Sequence, residues 1–309
     1  MANSEHGMIA VDKMGTKVLF LNPRTFAIEV AIDGFHKTVH ELLLVPETGM
    51  AYVPIFGDGI HGRNPNPQHE LCVFDLRKRA HVATIDLYPY IAPHTLKLGP
   101  DGFIYITCEN SAAVAVIDHK TNKVVDAIDS GSTNGHRLII APDGARLYTE
   151  NEEDATVSVI DLPARKLLGK ITTPRPLAGI AIAPDGRTLV AVDDAEPTLF
   201  LIDAEAGKVR EEVVLKDVPK AAQIARYAPD NSLLGVSSVN SDTVSLVDPS
   251  FRQQTAIKVG SQPMDMAFRG DELFVACQGD GSIHVIDIPG KRHKASFQAG
   301  IGCESLGFF

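Results

Sequence analysis

Pro93-His94-Thr95-Leu96-Lys97-Leu98-Gly99-Pro100-Asp101-Gly102 decides how the rest of this chain is read. A short apolar run ends in a Pro-Asp-Gly turn, where proline presets φ and glycine accepts a left-handed backbone. The unit returns as Gly135-His136-Arg137-Leu138-Ile139-Ile140-Ala141-Pro142-Asp143-Gly144 and as Leu177-Ala178-Gly179-Ile180-Ala181-Ile182-Ala183-Pro184-Asp185-Gly186. A shorter form, Val39-His40-Glu41-Leu42-Leu43-Leu44-Val45-Pro46, precedes them. The turn prolines Pro100, Pro142 and Pro184 are 42 residues apart. Pro229-Asp230-Asn231 and Gly270-Asp271-Glu272 continue the series. A second marker keeps step, an apolar strand closing on Asp75, Asp118, Asp161, Asp203, Asp248 and Asp287.

Between the markers the chain alternates with a period of two, as in Ala155-Thr156-Val157-Ser158-Val159-Ile160-Asp161, which indicates strands. Four short strands in such a period make one blade of a propeller. The expected fold is therefore all-β, with six blades near 38–87, 92–130, 135–172, 177–215, 221–259 and 263–298. The two ends supply a seventh. Gly302–Phe309 reads as an inner strand, and Gly7–Val11, Lys17–Leu21 and Ile28–Ile32 read as its three outer neighbours. Joined, they close the ring of a seven-bladed β-propeller and remove its exposed edges. No linker divides the sequence, so a single domain over 1–309 is expected.

The Pro-Asp-Gly turn followed by Phe103-Ile104-Tyr105-Ile106 and then Val114-Ala115-Val116-Ile117-Asp118 resembles the YVTN-repeat seven-bladed propellers. The likeness runs over nearly the whole chain. It implies the propeller fold. Relatives of that general type include lactonases, streptogramin lyases, redox-enzyme subunits and surface-layer modules, so it leaves the activity open. The histidine register described below does not map onto a catalytic motif of those families.

Bulk properties narrow the partners. A net charge of −10 argues against nucleic acid or an anionic membrane surface. No apolar stretch reaches the length of a membrane span, and the N-terminus carries no basic-then-apolar secretory pattern. Cys72, Cys108, Cys277 and Cys303 are scattered without a C-x-x-C pair, as reduced core thiols of a cytoplasmic protein would be. No phosphate-binding glycine loop, nucleophile elbow or H-E-x-x-H helix is present. A small-molecule ligand is the expected partner; the oligomeric state is not readable.

The first position of each inner strand is the one that turns toward the propeller axis. In register these positions are His40, His94, His136, Ala178, Gln223, Met264 and Glu304. Glu304 closes against the first blade, so one carboxylate and three imidazoles fall on four adjacent blades. Imidazole and carboxylate suit a divalent transition metal such as Zn, Fe, Mn or Ni. A histidine at a strand start also has a plain structural role, hydrogen bonding to the neighbouring blade. The opposite arc, with Gln223 among small or neutral residues, leaves room for a substrate.

Loops between the second and third strands form the rim above this ring. The loop of the first blade, Phe56 to His69, is about a dozen residues longer than its counterparts and carries His61, Arg63 and His69. Glu109, Glu150 and Asp193 begin other rim loops. Glu109 and Glu150 are candidates for orienting an imidazole or for moving protons, together with His61. Arg137, Arg63, Gln223 and Asp193 are candidate substrate contacts. The expected function is a metal-dependent enzyme acting on a small organic molecule in the axial pocket, with ester or lactone hydrolysis the most economical chemistry. A metal-dependent lyase, a non-heme iron oxygenase and a non-catalytic protein-binding scaffold are the alternatives.

Overall fold

The structure, a computed structural model, describes residues 6–59 and 62–309. Its strands form seven antiparallel sheets around one axis, six laid down in sequence order from the innermost strand outward and the seventh taking its innermost strand from the end of the chain. The inner strands are Pro93–Leu98, Leu138–Ile140, Leu177–Ile182, Ile224–Tyr227, Pro263–Arg269 and Cys303–Phe308, with Thr38–Val39 and Leu43–Val45 sharing that place in the first blade. The expected blade limits agree with these to within three residues.

The two ends of the chain share a sheet, as the sequence requires. Cys303–Phe308 pairs with Met8–Asp12, with Ala10 opposite Leu306 and Ile9 opposite Gly307. The backbone amides of His6 and Gly7 donate to the Phe309 carbonyl, which fastens the closure.

Every blade packs both faces against neighbours. Tyr52 and Leu71 of the first blade share one cluster with Leu96, Ile104 and Ile106 of the second. Val53 and Phe74, facing the other way, pack on Ile9, Val11 and Phe20 of the closing blade. This explains why strands near the axis are buried while outermost strands are largely exposed. Leu177–Ile182 is buried throughout, whereas Arg292–Gln298 is almost wholly exposed. All four cysteines are buried and free. Among the described residues no helix is long and apolar enough to cross a membrane.

The inner strands carry an irregularity at the ring position, and it positions the site. In the second blade Pro93 pairs with Cys108 and Leu96 with Ile106, so His94 and Thr95 together face the single residue Thr107. Extra residues recur at Ala178 and at Met264–Asp265. In the first blade the strand is interrupted at residues 40–42, with Glu41 at a φ of +41°. A bulge of this kind turns a side chain out of the alternating pattern, here toward the axis. Hydroxyls then stitch ring position to ring position. Thr107 Oγ1 donates to the His136 carbonyl at 2.7 Å, and Ser237 Oγ to the Met264 carbonyl at 2.8 Å.

Close approach of inner strands also demands a glycine. A Cβ on Gly179 would stand 2.4 Å from the Gln223 carbonyl oxygen, a backbone atom that cannot swing aside. Gly179→Ala is expected to lower the unfolding free energy by about 1–3 kcal/mol, the usual cost of overpacking. Urea denaturation with an unchanged m-value checks this; an unaffected midpoint contradicts it.

Candidate functional site at the propeller hub

His40, His94 and His136 stand side by side, with His94 against each of the other two. Their side chains are buried, and the ring centroids of His94 lie 4.2 Å from those of both His40 and His136. Phe56, at the end of the strand Met50–Gly57, packs its ring 5.1 Å from His40 and 5.6 Å from His94, holding both imidazoles in place.

Each imidazole is anchored through Nδ1. His40 Nδ1 meets Glu304 Oε2. His136 Nδ1 lies 2.6 Å from Glu150 Oε1. His94 Nδ1 lies 3.0 Å from Thr95 Oγ1. A carboxylate only accepts, so the Nδ1 atoms of His40 and His136 carry the protons and their Nε2 atoms carry lone pairs. Burial holds His40 and His94 below the ordinary histidine range, His94 well below it, so neutral rings are favoured.

The Nε2 atoms of His40 and His94 are 2.5 Å apart. Because the Thr95 hydroxyl can donate to His94 Nδ1, His94 Nε2 can carry the proton that bridges to the His40 Nε2 lone pair. Around the pair, His40, Glu41 and His94 form one cluster of potential ligands and His94, Glu109 and His136 another, with donor atoms within 4.8 Å in each. Glu109 Oε1 is 3.8 Å from His94 Nε2, and Glu41 Oε1 is 3.9 Å from His94 Nδ1. The donor set, imidazole nitrogen with carboxylate oxygen, fits a divalent transition metal.

Glu304 differs from its expected role as a ligand. Its Oε2 faces His40 Nδ1 and its Oε1 accepts from Lys13 Nζ at 2.9 Å, so both oxygens are engaged behind the imidazole. Burial pushes this carboxyl up, but His40 and Lys13 outweigh it and hold the pKa at about 2. Glu150 acts in the same way on the other side. Its Oε1 also accepts from the Arg137 amide at 3.1 Å, and its Oε2 from the Glu152 amide at 3.0 Å. It belongs to the buried hub rather than the open rim.

The remaining candidates divide. Arg137 is buried and crosses the channel to the Glu41 carboxylate at 2.5 Å, while its Nε donates to the Ala178 carbonyl at 3.2 Å. Gln223 keeps its ring position, its amide donating to the Ser237 carbonyl at 2.8 Å. Asp193 does not reach the hub. Its Oδ2 accepts from Arg175, and its Oδ1 accepts from the amides of Ala195 and Glu196, so it shapes its own loop. That role also occupies Arg175. Arg63 is exposed on the long loop, away from the imidazoles. His61 lies outside the described residues.

The long loop leaves the first blade after the strand Met50–Gly57. Asn64 fixes its base, Nδ2 donating to the Phe56 carbonyl at 2.8 Å and Oδ1 accepting from the Asp58 amide at 3.0 Å. At its far side, a Cβ on Gly62 would stand 2.9 Å from Glu153 Oε1. Gly62 thus lies beside Glu153, a residue of the blade that carries His136.

No protein-family model and no curated protein sequence matches the chain. Solved structures do. Kuenenia stuttgartiensis hydrazine synthase is similar with a TM-score of 0.70 at 18% identity, over 88% of this chain and 91% of that one. Dihydro-heme d1 dehydrogenase NirN in complex with DHE is similar with a TM-score of 0.69 at 13% identity, over 99% and 76%. A functionally unknown protein from Desulfotomaculum acetoxidans DSM 771 is similar with a TM-score of 0.79 at 12% identity, over 98% of both chains. These likenesses define a seven-bladed propeller and carry no more than the fold. The likeness to the YVTN-repeat proteins rests on the sequence motifs.

Because the folded-state pKa of Glu304 lies near 2 against an ordinary 4.5, its ionised form stabilises the fold above pH 4.5. That contribution fades as pH falls from 4.5 toward 2. Glu304→Gln is therefore expected to lose stability at neutral pH, with the gap to the parent protein narrowing through this window. Urea melts of both proteins across pH check this; a gap independent of pH contradicts it.

Proposed function

We propose that this chain is a metal-dependent enzyme whose hub binds one divalent transition metal through Nε2 of His40, His94 and His136. The reaction class we propose is hydrolysis of an ester or lactone bond in a small organic molecule. The observation that carries the reading is the convergence of imidazoles whose outer nitrogens are already engaged by Glu304, Thr95 and Glu150. Pairing of this kind fixes the tautomer and ring orientation of metal-binding histidines.

A metal held there supplies Lewis acidity, polarising a carbonyl or lowering the pKa of water. The protein's part follows from its own residues. Glu304 and Glu150 keep the protons on Nδ1 and so leave Nε2 available. Glu109, buried and beside His94 Nε2, is the carboxylate that takes a proton from the attacking water and returns it to the leaving oxygen. The Phe56 ring and the buried walls exclude bulk water, which strengthens every charge interaction at the hub. Hydrolysis is favoured over redox chemistry because a metal and one carboxylate suffice for it.

Elemental analysis of the purified chain is expected to find about one transition-metal ion per molecule, lost in His94→Ala. Glu304→Gln, which leaves the three imidazoles in place, is expected to weaken metal affinity by about 10–100-fold. A chain without stoichiometric metal after growth in metal-supplemented medium, folded and unchanged by His94→Ala, contradicts the reading and favours a binding scaffold.

With the metal bound, Glu109→Gln is expected to reduce hydrolysis of a small ester or lactone panel by about 10²–10⁴-fold at unchanged metal content. Equal activity in parent and variant removes Glu109 from the proton-transfer role.

A further inference from the structure

The channel continues beyond the imidazoles. On the side away from the long loop, toward the Pro-Asp-Gly turns, lies a cavity of about 230 Å³. Thr95, Lys97, Arg137 and Arg226 line it together with Glu41. Leu138, Ile180, Ile182 and Ile224 supply an apolar part of its wall.

Its charges do not cancel. Arg137 is paired with Glu41 at 2.5 Å, and Arg226 with Asp265 at 2.6 Å. The Lys97 ammonium has no such close partner among the described residues; Asp265 and Glu41 act on it only through space. Burial, then the neighbouring Arg226, lowers its pKa to about 8, so the ammonium is largely retained at neutral pH. Asp265 and Glu41 support that charge, and Arg137 opposes it. The lining thus carries one cation more than its two ion pairs account for, beside an apolar wall.

The chamber also adjoins the hub. Glu41, on its wall, is 3.9 Å from His94 Nδ1, and Arg137 directly follows His136 in sequence.

We propose that this cavity binds a small organic monoanion, a carboxylate with a compact hydrocarbon body, and that Lys97 is the charge that meets its carboxylate. The assignment deepens the proposed function, on which it rests in one respect: it makes such an anion the substrate class of the hub. A single uncompensated cation balances one negative charge. A phosphate dianion would leave a second charge buried beside Glu41, a costly arrangement. The volume, roughly eight times a water molecule's share of the liquid, suits a short aliphatic or single-ring acid. The apolar walls take its body.

Isothermal titration of the full chain with butyrate, benzoate, inorganic phosphate and the neutral isostere butyramide tests the proposal. Metal content is measured on the same samples. A carboxylate is expected to bind while butyramide and phosphate do not. Lys97→Met is expected to weaken the carboxylate by about tenfold or more, which is about 1.4 kcal/mol, with metal content unchanged. Lys97→Arg, which keeps the charge, is expected to retain most of the binding. Ile180→Phe, which fills the cavity without touching charge, is expected to exclude benzoate before butyrate.

Equal binding of butyrate and butyramide, tighter binding of phosphate, unchanged affinity in Lys97→Met, or no binding at all overturns the proposal and leaves the metal reading standing. Carboxylate binding that depends on Lys97 in a chain without stoichiometric metal upholds the cavity assignment and removes the metal centre instead.

Discussion

The contact between Glu304 and His40 ties architecture to chemistry in this propeller. Glu304 sits on the last strand of the chain and His40 at the start of the first blade, so their pairing crosses the seam where the ring closes. Lys13, from the N-terminal part of the closing blade, completes the group. A buried carboxylate needs partners for its charge, and here both partners come from segments that only ring closure brings together. The same carboxylate fixes which nitrogen of His40 carries the proton. Closure of the fold and orientation of the first imidazole are therefore one event.

The hub is polar for a geometric reason. Seven blades pack their flat faces together with apolar side chains, but the innermost strands stand too far apart across the axis to fill it. Extra residues at the strand starts turn His94, Ala178 and Met264 out of the blade-to-blade packing, and the interruption at Glu41 does the same near His40. The channel so formed is layered. Imidazoles backed by carboxylates occupy one level, and the Arg137–Glu41 and Arg226–Asp265 pairs occupy the next.

Much of this was legible before any coordinates. The recurrence of Pro100, Pro142 and Pro184 marked the blades, and counting back from those turns placed His40, His94 and His136 in one register. That register holds because every copy of the repeat has the same path. What stayed hidden depends on distances across the axis rather than along the chain. The register of Glu304 was readable, but not that it faces Nδ1 of His40 from behind. Glu41 follows His40 immediately and looked like the next residue of a strand; its positive φ is what turns it into the channel. Asp193 shared its rim position with Glu109, yet two loop amides and Arg175 claim its carboxylate. Lys97, Arg226 and Asp265 lie on three different blades, and only their common depth in the channel makes them a group.

The most direct test of the account is an anomalous-scattering map from crystals of the protein loaded with cobalt or zinc. The account requires a single peak on the propeller axis, about 2.0–2.1 Å from Nε2 of His40, His94 and His136, with Glu304 still on Nδ1 of His40. A peak coordinated by the Glu304 carboxylate in place of those nitrogens, or imidazoles turned away from one another around no peak, would contradict it.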